Sequence, residues 1–171
     1  MTKLVERTLV HCSVNQAAGH LARYFKARGN TDGDVARLSL RAEVPVPGSK
    51  ETMRLERTAI ATLVPRHAAG EMLPHYAVTW APEHPGPYPT FTGDLAIESG
   101  DDYHSFYLVL TGNYEPPLGA FGAAFDAVVG HRIAALSARN LLAMIADSIE
   151  ADFLAVERTK ADARHRAETA P

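Results

Sequence analysis

The sequence predicts an α+β fold, a curved antiparallel sheet wrapped around one long C-terminal helix. Three observations carry this. Residues 35–44 alternate apolar and polar side chains with a period of two, and residues 53–64 repeat the pattern less cleanly. Ile133, Leu136, Leu141, Met144, Ile145, Ile149, Phe153 and Val156 follow a helical stripe of several turns. After Val35 no strand–helix–strand alternation occurs, which argues against a doubly wound parallel sheet.

The 171 residues suit one domain. It is expected over residues 4–157, with a charged tail over 158–171. Residues 6–12 read as the first strand, with Leu9, Val10 and Cys12 as apolar content. Ser13 opens a helix, with Gln16 three residues later in capping-box order. Ala17, Ala18, Leu21, Ala22 and Phe25 recur at helical spacing until Gly29-Asn30 and Asp32-Gly33 turn the chain.

In the second strand Ala36, Leu38, Leu40, Ala42 and Val44 share one face, before a turn at Pro45, Pro47 and Gly48. In the third, Met53, Leu55, Arg57, Ala59, Ala61 and Leu63 form one row. Arg57 is its odd member: it either lies beyond the edge of the core or points a charge into a cavity. A loop is expected over 65–74. Tyr76, Val78 and Trp80 then alternate with His75, Ala77, Thr79 and Ala81. Residues 82–89 are rich in proline and glycine and read as a loop. Phe91, Leu95 and Ile97 face away from Thr92, Asp94 and Glu98.

After a turn at Gly100-Asp101-Asp102, residues 104–113 form the last strand, which includes His104. It is apolar on both faces, Phe106, Leu108 and Leu110 against Tyr107 and Val109. Such a strand is central, or its outer face is covered. A second subunit in a homodimer is one way to cover it. Pro116-Pro117 ends pairing, Gly119 and Gly122 allow a tight passage, and Gly130 divides or bends the helix that follows. Residues 157–171 lack an apolar face and are expected to fray or be disordered.

Composition excludes several classes of function. The net charge of −3, with no block of lysine and arginine, lacks the basic signature of a nucleic-acid binder. Cys12, the only cysteine, permits no intramolecular disulfide, fits a reducing compartment and reads as a small buried residue. The N-terminal residues lack the apolar stretch of a signal peptide. The best membrane-span candidate, residues 133–153, is interrupted by Arg139, Asp147, Glu150 and Asp152. A cytoplasmic location without membrane insertion is therefore expected.

None of the eight histidines shows zinc-ligand spacing, and no nucleophile elbow, phosphate loop or dinucleotide fingerprint is present. No metal and no other cofactor is expected, and no catalytic residue can be named. A bent sheet closing on one helix leaves room for a cavity with apolar walls and a few polar groups. The candidate lining is Tyr76, Trp80, Phe91, Tyr107 and Asn140, with Arg57 and His104 as polar cavity groups. For the aromatics the alternative is core packing. For Asn140 it is a hydrogen bond to the sheet from the margin of the stripe.

One stretch is distinctive: Thr111-Gly112-Asn113-Tyr114-Glu115-Pro116-Pro117-Leu118-Gly119-Ala120-Phe121-Gly122-Ala123-Ala124-Phe125-Asp126. With Gly130-His131-Arg132-Ile133-Ala134 and Leu141-Leu142 it resembles the C-terminal part of bacterial polyketide cyclase/dehydrase-like proteins. These belong to the superfamily of lipid-transfer START domains and birch-pollen-type allergens. The resemblance is specific over residues 111–149 and only topological over 4–98. It implies the helix-grip fold and a deep apolar cavity, and it fixes no activity. The usual pair of short helices after the first strand must fit into residues 13–33, where one clear helix is read. No motif specifies a cyclase.

Three functions stay open. The first is binding of a small apolar or aromatic molecule without chemistry, as a carrier or sensor. The second is a cyclase or dehydratase on such a ligand, with Tyr107, His104 or Arg57 polarising a carbonyl or moving a proton. The third is a structural or oligomeric module with a filled interior.

Overall fold

The computed structural model describes residues 1–28, 35–45, 50, 52–66, 73, 75–84, 88–115 and 123–169, without the side chains at 28, 44, 45, 53, 55, 123–129 and 169. The expected turns at 29–33, 47–48 and 116–122, and the side chains of Phe121, Phe125, Asp126, Val128 and Val129, lie outside these residues.

The elements are β1 (Thr2–Val10), α1 (Val14–Arg28), β2 (Val35–Pro45), β3 (Thr52–Arg66), β4 (His75–Pro82), β5 (Thr90–Ser99), β6 (Phe106–Glu115) and α2 (Ala123–Thr169). The strands form one antiparallel sheet in the order β1-β6-β5-β4-β3-β2. The fold is the helix-grip, with the sheet curved around α2. Strands β2 to β6 form a meander, and α1 carries the chain from one sheet edge to the other.

The alternation read in the sequence sorts the strands into two faces. Leu38, Leu40, Ala59, Ala61, Val78, Trp80, Phe91, Leu95, Leu108 and Leu110 are buried on the concave face. The stripe on α2 meets them with Ile133, Leu141, Ile145 and Ile149, all buried. Burying such side chains contributes about 1.5–3 kcal/mol each before the entropy cost is set against it.

α2 packs against both edge strands, and at β2 it takes up a backbone carbonyl that an open edge would expose. At the β2 edge Asn140 Nδ2 donates to Arg41 O at 2.7 Å. On the β1 side Arg139 Nε donates to Glu6 Oε2 at 2.7 Å, and Glu150 Oε1 accepts from His11 N at 2.7 Å. The helix therefore lies close to β1 and β2, while its backbone stands off from β3, β4 and β5.

Curvature has a local cause in the middle of the sheet. Gly93 and Gly112 are directly paired across β5 and β6. A Cβ on Gly93 would lie 2.6 Å from Gly112 Cα, and one on Gly112 would lie 2.6 Å from Gly93 Cα. Only residues without side chains let the two backbones come so close. The Phe91 ring lies over the pair, its Cζ 2.6 Å from where a Gly112 Cβ would be.

The structure corrects several boundaries. β1 begins at Thr2, before residue 6, and ends at Val10, so Cys12 follows it. β6 begins at Phe106 because Asp102 Oδ1 accepts from His104 N at 2.9 Å and from Ser105 Oγ at 2.7 Å, holding both residues in a turn. β3 continues through Pro65 to Arg66, past the last pairing with β2 at Val35↔Thr62. α2 passes through Gly130 as one element. A single glycine costs about 1 kcal/mol there, little against the burial of the stripe.

The helix also continues through the charged residues 158–169, where fraying or disorder was expected. Extending a packed helix needs no new nucleus, so good helix formers propagate it. The Lys160–Glu157 ion pair at 2.7 Å and Arg166 in the last turn add a little.

Candidate ligand-binding site

The concave face of the middle strands, which looks toward α2, carries buried residues that adjoin across the sheet. Register aligns Ala36, Ala61, Trp80, Phe91 and Tyr114 in one concave row. Tyr76, Leu95 and Leu110 form another. Trp80 and Phe91 are stacked, with ring centroids 4.1 Å apart and planes 15° from parallel. Trp80 is only 3% exposed, and its Nε1 has no hydrogen-bond partner among the described residues. Tyr76 is half-buried and leans on Phe25 of α1, centroids 6.2 Å apart.

A polar pair joins the helix to the segment before β5. Ser137 Oγ donates to Ile133 O at 2.7 Å, which uses its only proton. Tyr88 Oη, 2.6 Å from Ser137 Oγ, must therefore donate to it. Both residues are buried. Burial pushes the Tyr88 phenol up, against the opposing Ser137 hydrogen bond and with help from the Glu56 charge. Burial also raises the Tyr76 phenol. Both are neutral groups at ordinary pH.

At the contact of α1 with α2, His20 is buried and its ring meets Phe153 edge-on, centroids 6.5 Å apart. Arg23 Nη2 donates to His20 Nδ1 at 2.7 Å, so the imidazole accepts there and is neutral. Burial and the Arg23 charge lower its pKa, with Asp152 opposing. Cys12 is fully buried, and burial with the nearby Glu150 charge raises its thiol. A raised thiol holds little thiolate, so Cys12 is a packing residue rather than a nucleophile.

The residues singled out in the sequence fall into separate places. Trp80, Phe91 and Tyr76 come together on the concave face. Tyr107 does not: it pairs with Leu9 and Glu98 on the convex face, under the Arg7 guanidinium at 4.5 Å. His104 is exposed in the β5–β6 turn and reaches no interior. Arg57 shares the row of Ala59 and Ala61 but is exposed, beyond the end of β4 pairing at Pro82. It lines an outer pocket of about 400 Å³ with Glu56, Thr58, Glu83 and His84. The core-edge alternative holds for Arg57.

Asn140 is committed to the β2 edge, the margin alternative, and borders an outer groove of about 650 Å³ between α2 and the β2–β3 hairpin. Four of that groove's ionic groups neutralise each other in the pairs Arg41–Glu56 at 2.9 Å and Arg54–Glu43 at 2.7 Å, and Asp147 adds a further acidic group.

Tyr88, Ser137, Tyr114 and His20 went unrecognised in the sequence. Ser137 had a signal, since it stands four residues from both Ile133 and Leu141 in the stripe. Tyr114 continues the alternation of β6 beyond the expected strand end. Tyr88 lies between Pro87 and Pro89, where no periodicity marks burial. Among the described residues no three histidine, cysteine, aspartate or glutamate side chains converge as metal ligands, and no helix is long and apolar enough to cross a membrane.

No protein-family model matches this chain, and no curated protein matches it. Solved structures do. A conserved protein from Geobacillus kaustophilus aligns at a TM-score of 0.54 and 12% identity, over 90% of this chain and 95% of that one. The protein XoxI from Bacillus cereus aligns at 0.51 and 12% identity, over 92% and 99%. A START superfamily protein from Mycobacterium smegmatis gives 0.46 and 12%, over 90% and 98%, too distant to carry weight. At such identity the likeness to the first two establishes a shared fold over nearly the whole chain.

Proposed function

We propose that this protein binds a small apolar or aromatic molecule between the middle strands and α2, as a carrier or sensor without chemistry of its own. The observation that carries the reading is the make-up of that region. α2 is tied to the two edge strands while its backbone stands off from β3–β5, and Tyr76, Trp80 and Phe91 lie with aliphatic neighbours on the concave face that looks toward it. The polar groups identified there, the Trp80 indole and the Tyr88–Ser137 pair, are neutral donors and acceptors suited to orienting a ligand. The cyclase or dehydratase reading loses its three candidates, since Tyr107, His104 and Arg57 all lie away from this region.

A filled interior serving an interaction role is the second reading. The Phe91 ring packed over Gly93 and Gly112 favours it, as do Val5 and Leu9, exposed on the convex face beside Tyr107. Titration with N-phenyl-1-naphthylamine, a neutral apolar fluorophore, separates the two. Trp80 is the only tryptophan, so its emission reports on the site alone. Saturable one-to-one binding that quenches Trp80 is expected. Absence of saturable binding supports the filled interior instead.

A further inference from the structure

Trp80 carries a polar group to which the described residues offer no hydrogen-bond partner. Its side chain sits on the concave face, stacked on Phe91 at 4.1 Å, and the residue is 3% exposed. Its Nε1 is buried without a partner among the described residues. Indole N–H is a donor only, and buried donors in folded proteins are nearly always paired. The other buried atom in this condition, Asp94 Oδ1, lies within ion-pair reach of Arg66 at 3.5 Å and His75 at 3.7 Å. Trp80 has no such neighbour among the described residues.

The protons of the Tyr88–Ser137 pair are already assigned. Ser137 gives its proton to Ile133 O and Tyr88 gives its proton to Ser137. Neither oxygen is needed by a third group for that arrangement, and no hydrogen bond links either to the indole. No acceptor for the indole is found among the described residues.

We infer that the ligand is an apolar molecule carrying one neutral hydrogen-bond acceptor, a carbonyl or ether oxygen, which takes the Trp80 Nε1–H. This rests on the proposed binding function and narrows the class of ligand. Hydrocarbons without an acceptor leave the donor unpaired and bind less well. Carboxylates are disfavoured, because no cation accompanies the indole on the concave rows beside it, which hold Ala36, Leu38, Ala59, Ala61, Phe91 and Tyr114.

Fluorene and fluorenone test this, since they share a tricyclic outline and differ at one carbon, CH2 against C=O. Affinities come from equilibrium dialysis, and the single indole resonance is followed in ¹H–¹⁵N spectra. Fluorenone is expected to bind about tenfold more tightly, the effect of pairing an otherwise unsatisfied buried donor, and to move the indole proton downfield. In W80F the ratio of the two affinities falls to about one.

Equal affinities with a stationary indole signal overturn the inference and leave apolar binding intact. An indole proton already downfield and protected without ligand shows an internal partner and also overturns it. If neither compound binds, the proposed function itself fails. A fluorenone preference that persists in W80F assigns the acceptor contact to another group.

Discussion

Replacing Gly112 with alanine adds one methyl group at the tightest place in the sheet. Its Cβ would collide with Thr92 O and stand 2.6 Å from both Gly93 Cα and Phe91 Cζ. Ordinary contacts begin near 3.4 Å, so each neighbour must retreat by about an ångström. The Phe91 ring can turn aside, but the other two atoms are backbone of the paired strand. Overpacking of this kind costs about 1–3 kcal/mol. Parting the strands weakens at least one ladder hydrogen bond, about 1 kcal/mol more. The total is about 3 kcal/mol, or a fall of about 6–12 °C in Tm for a domain of this size.

The same substitution at Gly19 is the control. Gly19 lies inside α1, and its nearest neighbour to an added Cβ is Arg23 Nη1 at 3.7 Å, an ordinary contact. Alanine there should stabilise by about 0.5–1 kcal/mol, raising Tm by about 1–4 °C. Calorimetry on G112A, G19A and the parent chain checks both signs. G112A should also shift the Trp80 emission, since Phe91 stacks on that ring. A G112A protein that melts within about 2 °C of the parent would refute the reasoning that curvature depends on the Gly93–Gly112 approach.

Removing Ser137 with alanine strands the Tyr88 proton and should cost about 1–3 kcal/mol, while Y88F should cost about 1 kcal/mol. A double-mutant cycle by urea denaturation should give a coupling near 1 kcal/mol, and additive losses would contradict the pair. Lowering pH should loosen the docking of α1. His20 has a depressed pKa in the folded state, so its contribution is full above the unfolded value of about 6.5 and is lost as pH falls through the lower folded value. Hydrogen exchange in α1 should accelerate from pH 7.5 to pH 5 and do so less in H20F; equal acceleration in both removes His20 from the cause. Cys12 should resist alkylation by iodoacetamide at pH 8 in the native protein and react once unfolded in urea, and equal rates would show that burial does not protect it.

Much of the fold was legible because the patterns that define it are local. The alternation through Leu38 and Leu40 and the stripe through Ile145 and Ile149 name their buried faces directly. Trp80 and Phe91 were legible for the same reason. Tyr107 was not, since a strand apolar on both sides gives no absolute sense of which side is inward, and the Arg7 guanidinium above it is supplied by another strand. His104 was misplaced by a side chain two residues earlier, Asp102, whose turn delays β6. Asn140 stands beside the stripe as read, yet its partner is Arg41 O, distant in sequence. Tyr88 depends wholly on Ser137 for its meaning, and such pairs become visible only when the chain is folded.

The most direct test of binding between the middle strands and α2 is an isotope-filtered NOE spectrum of the labelled protein saturated with N-phenyl-1-naphthylamine. Contacts from the probe to Trp80, Leu95 and Ile145, all buried on the facing surfaces of sheet and helix, are the predicted result. Contacts to Val5, Leu9 and Tyr107 on the convex face, with none to Trp80, would contradict it and turn the protein's apolar surface, not its interior, into the site.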